Sequence, residues 1–544
     1  MPTTSERIRR AAREGFGYRE LRPGQLEAIT ALVEGTDVLA VMPTGSGKSA
    51  IYQVAGVLLD GPTVVVSPLI SLQHDQVSTI ALESGSNAVH ANSTLKVAQR
   101  RDALAAVGAG EVEFLFLAPE QFANADTMDA LRARPPSLFV VDEAHCISAW
   151  GHDFRTDYLH LGSVVEALGH PRVLALTATG TPPVRAEIVE RLGMGRPRQV
   201  VQGFDRPNIR LSVRRFKDED AKEKALLAAT ADDAGPGIVY AATRARAEAL
   251  AARMAGAGPR VAAYHGGMPG RDRATVQDRF MGGDLDVVVA TTAFGMGVDK
   301  PDVRFVFHLD VSDSLDAYYH EIGRAGRDGE PAEAVLFFRD EDLGLRRFFA
   351  GGARLDQEEL ARVVVVTGRH GGAMPVDDLA EATGLSPGRL ATAIGWLARA
   401  GGLEVEAGGT AVRLATRLAA VGAVGAASDA AEARRRLDQS RVEMVRGYAE
   451  TRGCRRRFLL GYFGEAHEGS CGACDNCEAG HRAGAVGEAR PFASGQRVAH
   501  AVLGAGTVMA VEDEKVVVLF DDSGYKTLLL EMVVDEGLLR PEAS

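Results

Sequence analysis

The sequence predicts an α/β protein of two tandem lobes, each a parallel sheet covered by helices on both faces, followed by three smaller modules. Three observations carry this. Short apolar runs alternate with helix-length stretches from the start of the chain to about residue 345, the mark of strands buried on both faces between crossover helices. The alternation is played out twice in succession. After about residue 350 the texture changes to helices and turns, a cysteine cluster, and a final run of short strands. At 544 residues the chain is also too long for one core.

In the first lobe, residues 1–205, the buried-strand candidates are Val38–Val41, Thr63–Ser67, Phe114–Leu117, Leu138–Val141 and Val173–Leu176. The second, residues 206–345, repeats the pattern with Gly237–Tyr240, Val261–Tyr264, Val287–Ala290, Phe305–Leu309 and Ala334–Phe338. Residues 346–415 form the third module. Over 357–415 they read helix, helix, turn, helix, then Gly402–Glu406 and Thr410–Leu414, a winged-helix pattern in which Ser386 and Pro387 cap and open the third helix. That helix carries Arg389 and Arg399; DNA binding and plain packing both stand as readings, with Trp396 as core. Residues 416–482 read as a helical hairpin ending in the cysteines, entered through an Ala/Gly-rich linker at 416–428. Residues 480–490 read as a second linker. The segment 491–544 alternates apolar and polar residues between Gly turns and predicts a small β-barrel.

The apolar fraction is 46%, as in ordinary globular proteins, and no uncharged apolar run reaches the roughly 18 residues of a membrane span. The first ten residues have no apolar stretch of the kind a secretory signal needs, so a cytoplasmic location is expected. The net charge of −12 has the wrong sign for a protein that coats nucleic acid, and any such binding needs a local basic track. Four of the five cysteines lie between residues 454 and 477, which favours a metal over disulfides in that compartment.

Two motifs carry chemistry. Met42-Pro-Thr-Gly-Ser-Gly-Lys-Ser49 follows an apolar strand and reads as a phosphate cradle for ATP. The backbone of Thr44, Gly45, Ser46 and Gly47 can surround a phosphate, Lys48 can reach the terminal phosphates, and the Ser49 hydroxyl can ligate Mg²⁺. The usual pattern has Gly where Met42 stands. Val140-Val-Asp-Glu-Ala-His145 closes another apolar strand. Asp142 is expected to hold Mg²⁺ and Glu143 to deprotonate the attacking water. His145 reads as a coupling residue and Cys146 as a buried structural thiol.

Beyond these two motifs the chain resembles the RecQ-family DNA helicases of superfamily 2, over residues of about 10 to 345 and again over 429 to 480. The resemblance implies RecA-like lobes. The segment Gly15–Ile29 resembles the family's adenine-sensing motif, which implies that Tyr18 stacks on the base, Gln25 bonds its edge and Arg22 supports the pocket. Val65–Val77, with Ser67 as a DNA contact, and Leu117–Glu120 resemble strand-contacting loops, and Leu174–Thr179 resembles the motif that relays the ATP state. The most diagnostic stretch is Cys146–Tyr158, which resembles the aromatic-rich loop that couples DNA to hydrolysis, with Trp150, Phe154 and Arg155 on the DNA. In the second lobe, Tyr264–Met268 and Thr291–Lys300 resemble motifs touching the DNA backbone and, through Asp299, the nucleotide. Tyr318–Gly329 resembles the arginine-finger motif, with Arg327 as finger and Arg324 beside it; the family usually has Gln where His320 stands.

Cys454, Cys471, Cys474 and Cys477 have the spacing of a closed structural zinc site, with an iron–sulfur cluster as the other reading of the spacing alone. The preceding Arg455–Gly464 resembles the RecQ zinc-binding subdomain and favours Zn²⁺. Its arginines, with Arg434–Arg436, are candidates for duplex contact. The tail from Gly495 resembles the Tudor-like tail of UvrD/PcrA-type helicases, which implies docking of a protein partner; a stabilising appendage stands beside that reading. Together these imply an ATP- and Mg²⁺-dependent 3′→5′ helicase acting on single-stranded and branched DNA in recombination and repair, associated with the nucleoid. A DNA-stimulated translocase with weak unwinding is the alternative, and a non-enzymatic DNA-binding regulator is the more distant one.

Overall fold

The computed structural model describes residues 3–542 apart from 44, 69–75, 78–79, 81–86, 92–94, 96, 149–157, 159, 233–234, 257, 296–297, 352–355, 407–410, 468, 481–490, 494 and 512–513. The chain divides into two compact units: residues 1–42, 47–202 and 352–435, and residues 43–46, 203–351 and 436–544. No helix among the described residues is long and apolar enough to cross a membrane.

The first unit is built on seven strands: β1 (Val38–Val41), β2 (Thr63–Val66), β3 (Ala88–Ala91), β4 (Phe114–Leu117), β5 (Leu138–Val141), β6 (Arg172–Thr177) and β7 (Arg198–Val201). They run parallel in the order β3-β4-β2-β5-β6-β1-β7. The central strands β1, β2, β4 and β5 are buried at every residue, so their sequences are continuously apolar and readable. The edge strands β3 and β7 are part-exposed and carry no such run, which is why sequence patterning passes them over. The order β5-β6-β1 brings the carboxyl ends of three strands side by side, with Val41 opposite Thr177 and Val141 opposite Ala175. The loops after them therefore emerge along one edge, the usual place for a ligand in such a sheet.

The same unit contains helices Gln357–His370, Val376–Thr383 and Pro387–Arg399 with a small antiparallel sheet of Met374–Pro375, Leu403–Val405 and Ala411–Leu414. Their shared core includes Leu360, Leu379, Leu390, Leu397 and Val412, with Trp396 packed against it. The expected linker at 416–428 is instead the start of one helix, Arg417–Glu450. Alanine is the strongest helix former, and Ala420, Ala423 and Ala427 are buried at helical spacing with Val424 packed against the same core, so a segment rich in Ala and Gly still has a packed face.

The second unit has six parallel strands in the order β10-β11-β9-β12-β13-β8: β8 (Ile209–Arg215), β9 (Gly237–Tyr240), β10 (Val261–Tyr264), β11 (Val287–Ala290), β12 (Phe305–His308) and β13 (Ala332–Phe338). Edge strand β8 receives the cysteine-bearing segment, with Leu211 bridged to Cys474 and the Val213 amide donating to Asp475 Oδ2 at 2.9 Å. The C-terminal segment, expected as a barrel, is a five-stranded antiparallel sheet. Its strands are Arg497–His500, Gly504–Val511, Lys515–Phe520, Gly524–Leu529 and Leu539–Pro541, and the two end strands of the order do not pair with each other among the described residues. The sheet is docked. The Tyr525 amide donates to Ser440 Oγ at 3.0 Å and the Tyr525 ring stacks on Tyr462 at 5.0 Å. Gly524, at φ +70°, lies so close to Ser440 that a Cβ there would collide with its hydroxyl.

Candidate nucleotide site and metal centre

The loop after β1 turns on Gly45 and Gly47, at φ +79° and +76°. Gly47 is required twice over, since a Cβ would also stand 2.7 Å from Gln25 Nε2. Lys48 Nζ donates to the Met42 carbonyl at 3.1 Å, bending its ammonium back over the loop. Ser49 opens helix Ser49–Gly56, and its hydroxyl accepts a long 3.4 Å bond from Gln76 Nε2, whose Oε1 takes the Tyr52 hydroxyl at 2.7 Å. Thr44 lies outside the described residues.

Gln25 is buried in the first turn of helix Pro23–Val33. Its Oε1 accepts the Arg22 amide at 2.9 Å, forming half of a capping box, and its Nε2 donates to the Gly47 carbonyl at 2.9 Å. Tyr18 is half-buried, with one side of its ring against Phe16 and its hydroxyl donating to Gln53 Oε1 at 2.6 Å. Gln53 was not singled out by the sequence; a buried amide mid-helix was its only signal.

Asp142 and Glu143 follow β5. The Glu143 amide donates to Asp142 Oδ1 at 3.0 Å, and Glu143 itself sits in the left-handed region at φ 49°, a conformation costing about 1–3 kcal/mol for a residue with a side chain. Burial first, and then the Glu143 charge, push the Asp142 carboxyl above its ordinary range, against the pull of Lys48. A cation beside it would reverse that penalty. His145, 3% exposed, shares a 3.0 Å bond between Nδ1 and Thr177 Oγ1 and lies 3.4 Å from Glu143 Oε2, tying the loop after β5 to the end of β6. Cys146 is buried.

Ser67, expected as a DNA contact, lies beside the carboxylate loop. It is 1% exposed, with its hydroxyl 3.5 Å from Asp142 Oδ2. Trp150, Phe154 and Arg155 lie outside the described residues. Tyr158, which ends the aromatic-rich segment, is fully buried and donates from its hydroxyl to the Asp142 carbonyl at 3.2 Å.

In the second unit, Arg327 Nη1 donates to the Val298 carbonyl at 2.9 Å and pairs with Asp299. Burial, reinforced by neighbouring Arg324, lowers the Arg327 pKa from the guanidinium norm. Arg324 is buried against the Gly295 carbonyl. The helix just before them, Leu315–Ile322, is anchored by Glu321, which accepts from Ser312 Oγ at 2.6 Å and lies 2.8 Å from His308 Nε2. Those two partners come from separate segments, so no linear motif announced them.

The sulfurs of Cys454, Cys471, Cys474 and Cys477 lie within 4.8 Å of one another, with Cys471 and Cys477 at 3.9 Å. Four thiolates at about 2.3 Å from one zinc ion would stand about 3.8 Å apart, so the set fits a single tetrahedral ion. Bonds from Cys471 and Cys474 hold the Cys454 thiol far below its ordinary pKa, which favours the thiolate form that binds zinc. Arg455 and Arg456 are not the duplex contacts expected of them. Both are buried: Arg455 donates to the Tyr448 carbonyl at 2.8 Å and pairs with Asp475, and Arg456 donates to the Ile209 carbonyl at 2.6 Å.

Residues 22–187 match the DEAD/DEAH box helicase model, 221–329 the helicase conserved C-terminal domain, and 416–478 the RecQ zinc-binding model. The chain is 35% identical over 468 residues to a probable ATP-dependent DNA helicase RecS of Bacillus subtilis, covering 85% of this chain and 90% of that one. The chain belongs to the RecQ family of ATP-dependent DNA helicases. It is 32% identical to the RecQ helicase of the same organism, of which it spans 65%, and 39% identical to that of Pasteurella multocida, of which it spans 51%. A crystal structure of the DUF1998 helicase MrfA bound to DNA shares the fold at a TM-score of 0.52 and 19% identity, over 78% of this chain and 64% of that one. As a RecQ-family helicase the protein uses ATP with Mg²⁺ and binds Zn²⁺ through its four-cysteine cluster.

Proposed function

We propose that this RecQ-family helicase moves 3′→5′ on single-stranded DNA and separates duplex or branched DNA ahead of it in recombination and repair. In this reading Gly45, Ser46, Gly47 and Thr44 cradle the phosphates, Lys48 binds the terminal ones, and Ser49 and Asp142 hold Mg²⁺. Glu143 takes the proton of the attacking water, Arg327 with Arg324 neutralises the transferring phosphoryl group, and Asp299 assists at the nucleotide. Tyr18, Gln25 and Arg22 read adenine. The observation that supports this most strongly is the convergence of three loops at one sheet edge: Lys48 after β1, Asp142 and Glu143 after β5, and Thr177 at the end of β6, with His145 joining the last two. Magnesium supplies charge neutralisation at the phosphates; the residues supply position and the base. The test is strand separation on a forked duplex with a 3′ tail, which Lys48→Ala should abolish. Unwinding only of 5′-tailed forks would contradict the polarity.

A second reading, a DNA-stimulated translocase with weak unwinding, is favoured by one observation. The third helix of the 357–414 module has its arginines engaged internally: Arg389 bonds Glu359 at 2.6 Å, and Arg399 lies 5.5 Å over the Trp396 ring. For the C-terminal sheet we infer a protein partner, supported by the hairpin residue Val502, which is 85% exposed. Crosslinking at that position tests it. A protein of this activity is placed with the chromosome in the cytoplasm.

A further inference from the structure

The second unit contains an open cleft of about 840 Å³ that takes no part in the chemistry above. One wall is the second half of helix Arg417–Glu450, the other is the C-terminal sheet, and Arg347 overhangs it. The helix presents the stripe Arg436, Gln439, Glu443, Arg446 and Glu450, whose three- and four-residue spacing makes it one face. The sheet presents Lys515 and Lys526.

Charge separates sharply here. The segment 491–544 has more than twice as many acidic as basic residues, and the whole chain is acidic, yet both lysines of that segment line this cleft. Two carboxylates also line it, and both are engaged: Glu443 with Arg347 at 2.7 Å and Glu450 with Arg446 at 2.8 Å. Lys515 and Lys526 are exposed and form no ion pair among the described residues. The result is a local positive track on an acidic protein, which is the feature the net charge made necessary for polyanion binding.

We propose that this cleft binds the sugar–phosphate backbone of DNA, as a second nucleic-acid contact outside the helicase lobes. Arg436 and Arg446 are ten residues apart on one helix, about 15 Å at the helical rise. A DNA strand advances about 3.4 Å per phosphate, so charges spread over that length meet several successive phosphates, whereas a single small anion would need them to converge. Lysines act as unshaped point charges on flexible stems, which suits contact without sequence readout. The sheet is held rigidly for this by Tyr525 on Ser440 and Tyr462, so both walls keep their spacing. The inference rests on the chain's being a DNA helicase.

The test uses full-length, zinc-loaded protein and the double variants Lys515→Ala/Lys526→Ala and Lys515→Arg/Lys526→Arg. Fluorescence anisotropy is followed over a salt series on a blunt duplex, on oligo(dT), and on a poly-glutamate peptide. Loss of two phosphate contacts should lower the slope of log affinity against log salt by about 1.8 on duplex or about 1.4 on single strand, so the affected arm identifies the DNA form bound. The arginine variant should retain the wild-type slope. Unchanged slopes and affinities on both DNAs overturn the proposal, as does a loss confined to poly-glutamate, which would make the cleft a seat for an acidic protein segment. ATPase stimulated by oligo(dT) at saturation separates the two layers. The alanine variant should keep the wild-type kcat, and absence of stimulation in the wild type would fail the helicase reading itself.

Discussion

Gln25 Nε2 donates to the carbonyl of Gly47 across 2.9 Å while its Oε1 accepts the Arg22 amide at 2.9 Å. Both functional atoms of the amide are thus committed, one to the phosphate loop and one to its own helix start. An adenine edge asks for the same donor and acceptor. On the proposed adenine reading, engaging the base would free Gly47 and so couple nucleobase identity to the conformation of the phosphate loop. Gln25→Ala should raise KM for ATP about tenfold, about 1.4 kcal/mol, and erase the preference for ATP over GTP. Steady-state hydrolysis of both nucleotides measures this, and an unaltered ATP/GTP ratio would count against the assignment.

Lys48 Nζ donates to the neutral Met42 carbonyl, a bond that a phosphate can replace, while its charge also acts on buried Asp142. Lys48→Ala should therefore fold normally and lose at least about a hundredfold in kcat, the scale of removing one preorganised charge from a transition state. Circular dichroism with DNA-stimulated ATPase checks both halves. Appreciable turnover in the folded variant would remove the loop from the mechanism.

What was legible follows from burial. The central strands were readable to within two residues because burial on both faces leaves them almost wholly apolar, with polar residues such as Thr63, Thr177 and His308 only at their ends. Edge strand β8 was not, since Ile209-Arg-Leu-Ser-Val213 mixes apolar with polar residues and its outer edge is covered only when the fold brings up the cysteine-bearing segment. The phosphate loop, the carboxylates and the four cysteines were legible because their chemistry is local in sequence. Gln53, Ser312 and His308 were not, because each matters only through a partner brought by the fold. Arg455 and Arg456 looked like a basic surface since a sequence shows charge but not its depth.

Tyr158 links the end of the aromatic-rich segment to the loop after β5, through its hydroxyl on the Asp142 carbonyl at 3.2 Å. Tyr158→Phe keeps the ring and removes only that bond, worth about 0.5–1.5 kcal/mol. Basal ATPase should change little and the stimulation by single-stranded DNA should fall severalfold. Trp150→Ala should lower the same ratio with ATP binding intact. Equal stimulation in both variants and wild type would break the proposed coupling.

The sequence leaves Arg389 open to DNA binding or plain packing, and its guanidinium forks onto Glu359 at 2.6 and 3.0 Å. Arg389→Ala should leave affinity for forked DNA within about twofold. The pair is partly exposed and screened by water, so its loss should cost little stability. A tenfold loss of fork binding would restore this helix as a DNA contact.

The cysteine cluster is placed to hold more than an ion. Cys474 bridges Leu211 of β8, and the adjoining Asp475 accepts the Val213 amide and pairs with Arg455, whose guanidinium reaches back to the end of helix Arg417–Glu450 at Tyr448. Zinc thus fixes the junction of β8, that helix and helix Arg455–Tyr462, on which Tyr462 supports the C-terminal sheet. Because structural zinc contributes folding free energy outright, Cys477→Ser should lose the bound ion and loosen this whole corner, while the phosphate loop, in the other lobe, keeps its nucleotide. Metal analysis should give one zinc per chain in the wild type and none in the variant. Hydrogen exchange should quicken over 444–478 and 504–529 with the amides near Lys48 unaffected, and a zinc-free variant with wild-type protection there would show that packing, not the metal, holds the junction.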